Sequence, residues 1–67
     1  DERLARLLIH RGPVVSASHQ VLADELGSAR EVISRLLGSF ETRGWVKLER
    51  ERVTVTDPKS LSALAAA

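Results

Sequence analysis

The segment from Ser18 to Gly44 constrains the fold more than any other part of this 67-residue chain. Small Ala23 precedes Gly27 by four residues, a spacing that lets two helices approach closely and lets the chain reverse with positive φ. Apolar residues recur at helical spacing on both sides of that turn: Val21, Leu22, Leu26, Val32, Ile33, Leu36, Leu37 and Phe40. The pattern predicts two helices joined by a tight turn.

Local capping signals give these helices their bounds. Ser18 is a favourable N-cap for a helix over His19–Leu26, which Gly27 would end. A preceding helix is predicted to end near Arg11, before Gly12-Pro13. Its apolar face is formed by Leu4, Ala5, Leu7 and Leu8.

The next helix is predicted to run from Ala29 to about Arg43, with Gly44 as its terminal residue. Its start is indicated by the segment 28–31, Ser-Ala-Arg-Glu, which matches the S-x-x-E capping box. Gly38 inside this helix is less favourable than Ala by about 1 kcal/mol. We therefore expect close packing at Gly38, against the first helix.

After Gly44 the apolar period changes from helical to two. Residues 45–48 and 53–56 alternate as two antiparallel strands, with residues 49–52 at the tip of their hairpin. Asp57-Pro58 then begins a last helix that extends to Ala66, with Pro at its first position. The predicted fold is mostly α with a small β-hairpin, in the order α-α-α-β-β-α. Such a fold is a winged helix-turn-helix, here one domain over residues 1–67 with the helix-turn-helix at 18–43 and the wing at 45–56.

Composition excludes several classes of function. With no cysteine, the chain has no disulfide and no Cys-based metal site. No apolar run approaches the roughly 20 residues of a membrane helix. We find no nucleophile paired with a base, no Gly-rich phosphate loop and no metal-ligand cluster. We therefore expect no enzyme activity, no metal and no cofactor in this segment, whose formal net charge is only +1.

Four polar residues share one face of the third helix: Arg30, Glu31, Ser34 and Arg35. The guanidinium of Arg35 can bond guanine O6 and N7 bidentately. Its neighbour four residues earlier, Glu31, could instead form a surface ion pair with it, or act in the capping box. Arg30 at the helix start suits a DNA phosphate or a second guanine, and Ser34 suits thymine or a phosphate. Either could also be simply a solvated residue.

Further residues are candidates for contacts with the phosphate backbone. Ser18, His19 and Gln20 begin the second helix, whose N-terminal N–H groups favour anions. The other candidates lie on or near the wing, where two glutamates dilute their charge: Lys47, Arg50 and Arg52. We expect Trp45 to pack beside Phe40 rather than to stack on bases.

The chain resembles the C-terminal DNA-binding domain of the Crp/Fnr family of bacterial transcription regulators. Residues 28–37, SAREVISRLL, are similar to the SRExxSRxL recognition helix of that family. Residues 41–46 follow the family's exit from the helix into the wing, and residues 57–61, DPKSL, resemble its D-x-x-x-L ending. The likeness runs from about Ser18 to Leu64.

The resemblance implies a function and a set of partners. Arg35 and Glu31 would together recognise a G·C pair, with Glu31 accepting from cytosine N4, and the corner at Ser18–Gln20 would contact phosphate. The partner would be double-stranded DNA, bound by a homodimer of the full-length protein that could also contact RNA polymerase in the cytoplasm, on the nucleoid. The chain would then be a fragment of a larger regulator that also has an effector-binding β-barrel and a dimerisation helix.

Three positions depart from the family pattern. Val21 occupies a position where many members have Glu, so the second helix lacks its capping box. Ala29 replaces a small hydroxyl residue that in relatives can contact the DNA backbone. The wing tip, Glu49-Arg50-Glu51, lacks the Gly or Asn that a tight hairpin favours.

Two alternative functions remain open at the level of sequence. One is a winged helix used as a protein-interaction module, which the near-neutral charge would suit. The other is a winged-helix regulator of another family, such as the multidrug- or metal-responsive repressors. Arg30 and Arg35 on one face favour DNA over a protein partner, and the spacing of Arg30-Glu31 and Ser34-Arg35 favours the Crp/Fnr pattern.

Overall fold

The computed structural model describes residues 2–66. The helices and strands are α1 (Glu2–Arg11), β1 (Val14–Val15), α2 (His19–Leu26), α3 (Arg30–Thr42), β2 (Val46–Glu49), β3 (Arg52–Val55) and α4 (Pro58–Ala65). This confirms the predicted winged helix-turn-helix. The two-residue strand β1 lies in the segment 14–17, where the sequence indicates a connector or a short extended piece. None of these helices has the length and apolar character needed to cross a membrane.

The three strands form an antiparallel sheet in the order β1-β3-β2. Val15 lies opposite Val53 of β3, and Val46 and Leu48 of β2 lie opposite Val55 and Val53. Because residues directly opposite each other share a face of the sheet, these valines and Leu48 form the inner face. The wing is therefore built on a sheet that β1 extends, rather than on an isolated hairpin.

The start and end of α2 follow from local capping. The Ser18 hydroxyl accepts a hydrogen bond of 3.2 Å from the Val21 N–H. At the other end Gly27 adopts a left-handed φ of 65°. The N–H of Ser28 then donates to the Ala23 carbonyl at 2.9 Å, the long bond of a Schellman motif. Because these signals are local, the predicted bounds of this helix agree with the structure.

The predicted capping box at the start of α3 is wrong. The N-cap is Ala29, which makes no side-chain capping bond. Ser28 lies one residue before this N-cap. Its N–H donates to the Ala23 carbonyl at the end of α2 and is therefore not available to the Glu31 carboxylate. The first helical bonds of α3 run from the N–H groups of Val32 and Ile33 to the Ala29 carbonyl. Glu31 is therefore not a capping-box residue.

One apolar core joins all the elements. Its fully buried large side chains come from all four helices and the sheet: Leu4, Leu8, Leu22, Ile33, Leu37, Leu61 and Val53. Ala23 is also fully buried, as its place at the crossing of α2 and α3 predicted. Two members of the predicted apolar face, Val21 and Val32, are instead 44% and 38% exposed. No polar or charged residue among residues 2–66 is buried.

The expected close packing at Gly38 is wrong. A Cβ built at Gly38 would have no neighbouring atom within 4 Å. The tightly packed glycine is Gly12, where a Cβ would lie 2.7 Å from the Leu8 carbonyl oxygen and 3.3 Å from Cγ2 of Val55. The packing therefore leaves no room for a side chain at Gly12, between α1 and β1, whereas it leaves room at Gly38.

Polar contacts hold α1 against its neighbours. Arg3 donates to the Leu26 carbonyl at the end of α2 over 2.8 Å, and Arg6 donates to the Ala65 carbonyl of α4 over 3.2 Å. Arg11 forms an ion pair of 2.6 Å with Glu25 on α2. Both side chains are partly exposed, so this pair contributes about 0.2–1 kcal/mol.

Two hydrogen bonds hold the wing against α3 and the turn that follows it. The carboxylate of Glu41 accepts a 3.0 Å hydrogen bond from the Leu48 N–H on the edge strand β2. Thr56, just after β3, donates its hydroxyl proton to the Gly44 carbonyl at 2.9 Å. Gly44 lies in the turn that follows α3 and has a φ of 79°. These bonds fix the position of the hairpin relative to the helix that precedes it.

Helix α4 begins at an acidic cap. Asp57 accepts from the Ser60 N–H at 3.2 Å and from the Ser60 hydroxyl at 2.8 Å. These bonds from Ser60, the side-chain bond above all, lower the pKa of Asp57 from its usual value of 3.8, because they stabilise its ionised form. Pro58 occupies the first turn of α4, as predicted.

Candidate nucleic-acid interface

The outward face of α3 carries the predicted base-contacting residues. Arg30, Glu31 and Arg35 are exposed and Ser34 is half-buried. The opposite face is closed by three buried residues of the same helix: Ile33, Leu37 and Phe40. This division follows the helical period of 3.6 residues. The predicted polar face is therefore available to a partner along more than one turn.

The three charged residues of this face have no partner within residues 2–66. Arg30, Glu31 and Arg35 take part in no hydrogen bond or ion pair there. The surface ion pair between Glu31 and Arg35, one of the alternatives from sequence, is absent from the structure. Their donors and acceptors are thus left for solvent or for a ligand.

Ser34 is the one polar residue of this face with a partner. Its hydroxyl lies 2.8 Å from Nδ1 of His19, at the start of α2, in a partly buried contact. The two residues are fifteen positions apart, and nothing in the sequence indicates that they meet. The contact links a predicted backbone residue to a predicted base-contacting residue.

A concave cleft of about 430 Å³ adjoins the start of α3. It brings together the first residues of α2, the first residue of α3 and the tip of the wing. Its lining residues are Ser18, His19, Gln20, Arg30, Glu49, Arg50 and Glu51. The structure thus unites four of the six predicted backbone-contacting residues with one predicted base-contacting residue.

The charges around the cleft nearly balance. Two cations, Arg30 and Arg50, face two anions, Glu49 and Glu51. The wing tip closes without a glycine, since Glu51 adopts a φ of 52° in the left-handed region. Gln20 is held along its own helix by a 2.9 Å hydrogen bond to Asp24.

Two predicted backbone residues lie elsewhere. Lys47 and Arg52 are exposed and do not line the cleft. Lys47 pairs with Thr54, and Arg52 pairs with Glu49, in register positions that alternate with the inward-facing valines. They therefore lie on the outer face of the sheet.

Trp45, at the start of the wing, packs beside Phe40 of α3, as expected. Its ring centroid lies 5.5 Å from that of Phe40, with the rings tilted by 42°. The guanidinium carbon of Arg43 lies 5.0 Å from the Trp45 ring centroid. Arg43 is therefore occupied by a cation–π contact. In the described part of the chain there is no group of three or more residues suited to hold a metal ion.

Comparisons with known proteins agree with this geometry. The profile of the Crp-like helix-turn-helix domain matches residues 2–64. The global nitrogen regulator of Synechococcus elongatus is 38% identical over 45 residues, which cover 67% of this chain and 20% of that protein. The chain therefore spans only about a fifth of the length of this curated relative.

Two solved structures are similar over nearly the whole chain. A protein from Eubacterium rectale, described as a transcriptional regulator of the Crp/Fnr family, gives a TM-score of 0.90 at 37% identity. The alignment covers 98% of this chain and 33% of that one. The catabolite activator protein of Thermus thermophilus gives a TM-score of 0.89 at 30% identity, over 97% of this chain and 33% of the other.

Proposed function

This chain belongs to the family of Crp-like helix-turn-helix domains, and from that membership we propose that it binds duplex DNA sequence-specifically with α3 in the major groove. The family is a class of DNA-binding transcription regulators and not of enzymes. Membership of the family does not by itself assign a role to each side chain of this protein.

The observation that carries the proposal is the set of exposed, unpaired charged residues on the outward face of α3. Arg30, Glu31 and Arg35 are exposed and form no hydrogen bond or ion pair within residues 2–66. Charged groups that a fold leaves unpaired on one helix face are ready to bond base edges and phosphates without first breaking internal bonds. A helix of 13 residues is long enough to lie in the major groove.

Base recognition in this proposal depends mainly on Arg35 and Glu31. Arg35 bonds guanine O6 and N7 bidentately, while Glu31 accepts from N4 of the paired cytosine. The two side chains are one helical turn apart, so they can reach the same base pair. Arg30 contacts a phosphate or a second guanine, and Ser34 contacts a base beside that pair.

Backbone contacts in this proposal come from the cleft. The capped start of α2 offers N–H groups at Ser18 and His19, with Gln20 beside them. Arg50 approaches the same strand from the wing tip. Lys47 and Arg52 reach phosphates farther along the duplex, from the outer face of the wing.

The parent protein is proposed to act as a homodimer on the bacterial nucleoid, in the cytoplasm, where it could also contact RNA polymerase. A two-fold symmetric dimer requires an inverted repeat whose half-site centres are about 34 Å apart, one helical turn of DNA. Footprinting of the full-length regulator would reveal this repeat. A single unrepeated half-site would contradict the dimer.

Salt dependence of duplex binding tests the proposed function. Each phosphate that the protein neutralises releases counterions, so affinity should fall as salt rises. With a net charge of +1, the isolated chain should bind weakly, and the titration should start at low ionic strength. A chain that binds no duplex at low salt, or binds with no salt dependence, would instead be explained by the protein-interaction alternative.

A further inference from the structure

We propose that His19 is a positioning residue that sets the hydrogen-bonding polarity of Ser34, so that pH changes the base preferred at one position of the DNA site. The inference rests on the proposed function, since it needs α3 in the major groove. It starts from the 2.8 Å contact between His19 Nδ1 and the Ser34 hydroxyl.

A serine hydroxyl has one proton to donate and two lone pairs to accept with. When the imidazole is neutral with Nδ1 unprotonated, the Ser34 hydroxyl donates its proton to His19 and can offer only lone pairs to DNA. When the imidazole is protonated, Nδ1–H donates to the Ser34 oxygen, and the hydroxyl proton is free. The charge on His19 thus decides whether Ser34 accepts from DNA or donates to it.

The two states of Ser34 match different bases in the major groove. As an acceptor, Ser34 complements the amino groups of adenine N6 and cytosine N4. As a donor, it complements guanine O6 and N7, thymine O4 or adenine N7. Cytosine, which presents only an amino group, and guanine and thymine, which present only acceptors, therefore distinguish the two states. Lowering the pH should therefore shift the preference from amino groups toward acceptor groups at this position.

The surroundings of His19 indicate which of its two ring nitrogens carries the proton when the imidazole is neutral. The other ring nitrogen, Nε2, has no hydrogen-bond partner among residues 2–66. His19 lines the cleft where a phosphate is proposed to bind, and a phosphate oxygen accepts hydrogen bonds. Contact with it requires a proton on Nε2, and the neutral ring then has Nδ1 unprotonated.

Histidine is the side chain whose charge ordinarily changes between pH 5 and 8. The other charged groups around the cleft are Arg30, Glu49, Arg50 and Glu51. Glutamate and arginine side chains ordinarily titrate outside the range from pH 6 to 8. The second histidine of the chain, His10, lies on α1 beside Arg3 and Arg6, away from the cleft. It provides a matched control.

The experiment measures affinity for four duplexes that differ only at the base pair where Ser34→Ala alters selectivity, at pH 6.0 and pH 8.0. For the unmodified chain and for His10→Asn, we expect the ratio of the affinity for cytosine at this position to the affinity for guanine or thymine to change about three- to tenfold, the size of one hydrogen bond. For His19→Asn, whose amide can bond Ser34 but does not titrate, the ratio should stay constant. A histidine that only contacts phosphate would change all four affinities alike.

Nitrogen chemical shifts of His19 in the chain bound to duplex DNA provide a second measurement. At pH 8.0 we expect Nδ1 to be unprotonated, with a shift that changes in Ser34→Ala. A neutral ring with its proton on Nδ1 would overturn the inference, as would a pH-independent affinity ratio in the unmodified chain. The inference would also be overturned if Ser34→Ala left the selectivity unchanged at every base pair. In each of these results the proposed function stands as long as the chain still binds duplex DNA. If the unmodified chain binds no duplex, both the proposed function and this inference are wrong.

Discussion

Glu31 and Arg35 lie one turn apart on the exposed face of α3, yet they form no ion pair within the described residues. A pair of opposite charges at this spacing on a helix surface contributes only about 0.2–0.5 kcal/mol when it forms. Both side chains are therefore free to bind a partner at little cost. This arrangement makes the face suited to recognise one base pair with two side chains.

The capping of α2 and α3 gives a first prediction. Ser18→Ala should lower the free energy of unfolding by about 1 kcal/mol, because it removes the bond to the Val21 N–H. Ser28→Ala should change it by less than about 0.5 kcal/mol, since the structure assigns Ser28 no capping bond. Ala29→Ser should raise it by about 0.5 kcal/mol or more. Urea denaturation of the three variants checks this, and a larger loss in Ser28→Ala than in Ser18→Ala would contradict the observed caps.

Two glycines give opposite predictions. Gly38→Ala should raise the free energy of unfolding by about 0.5–1 kcal/mol, because Ala favours the helix and the new Cβ has open space. Gly12→Ala should lower it by about 1–3 kcal/mol, because the Cβ would lie 2.7 Å from the backbone oxygen of Leu8. Thermal unfolding of both variants provides the measurement. Destabilisation by Gly38→Ala would show that the position is crowded.

The lowered pKa of Asp57 gives a prediction on acid stability. A carboxylate whose pKa is lower in the folded chain than in the unfolded one contributes stability above its unfolded value of 3.8, and loses it as the pH falls through the lower folded value. Stability should therefore decline below about pH 5. Asp57→Asn keeps an N-cap residue but cannot titrate, so this part of the decline should disappear. An unchanged acid transition in Asp57→Asn would show that other carboxylates cause it.

The position of the wing arginines gives a prediction on backbone contacts. Arg50 lines the cleft, whereas Arg52 lies on the outer face of the sheet. Arg50→Ala should weaken binding to all duplexes about equally and reduce the salt slope by about 1. Arg52→Ala, with the same loss of charge, should have a smaller effect. Equal effects of the two variants would mean that net charge, and not the cleft, determines backbone binding.

Local signals made much of this fold predictable. Ser18 and Gly27 fix the ends of α2 through bonds within a few residues, and the change of period after Gly44 indicates the wing. The start of α3 was missed because Ser28 matches a capping box in sequence, whereas the N-cap in the structure is the next residue, Ala29, and the Ser28 N–H bonds to Ala23 at the end of α2. A choice between two competing local motifs depends on the geometry of the turn.

Contacts between residues far apart in the chain could not be predicted from the sequence. The two residues of β1 are too few for a strand pattern, and they form a strand only because β3 pairs with them. The bond between His19 and Ser34, and the contact of Glu41 with Leu48, depend on how the helices and the wing meet. The face of α3 could be predicted, since the helical period alone defines it.

Selection of binding sites from a randomised duplex tests the central claim, base recognition by Arg35, most directly. Arg35→Ala should cost about 1–3 kcal/mol on the preferred site and relax the preference at one base pair. Glu31→Ala should relax the same base pair, while Arg50→Ala should leave every preference unchanged. A uniform loss of affinity in Arg35→Ala, with all base preferences retained, would contradict the account, because Arg35 would then contact only phosphate.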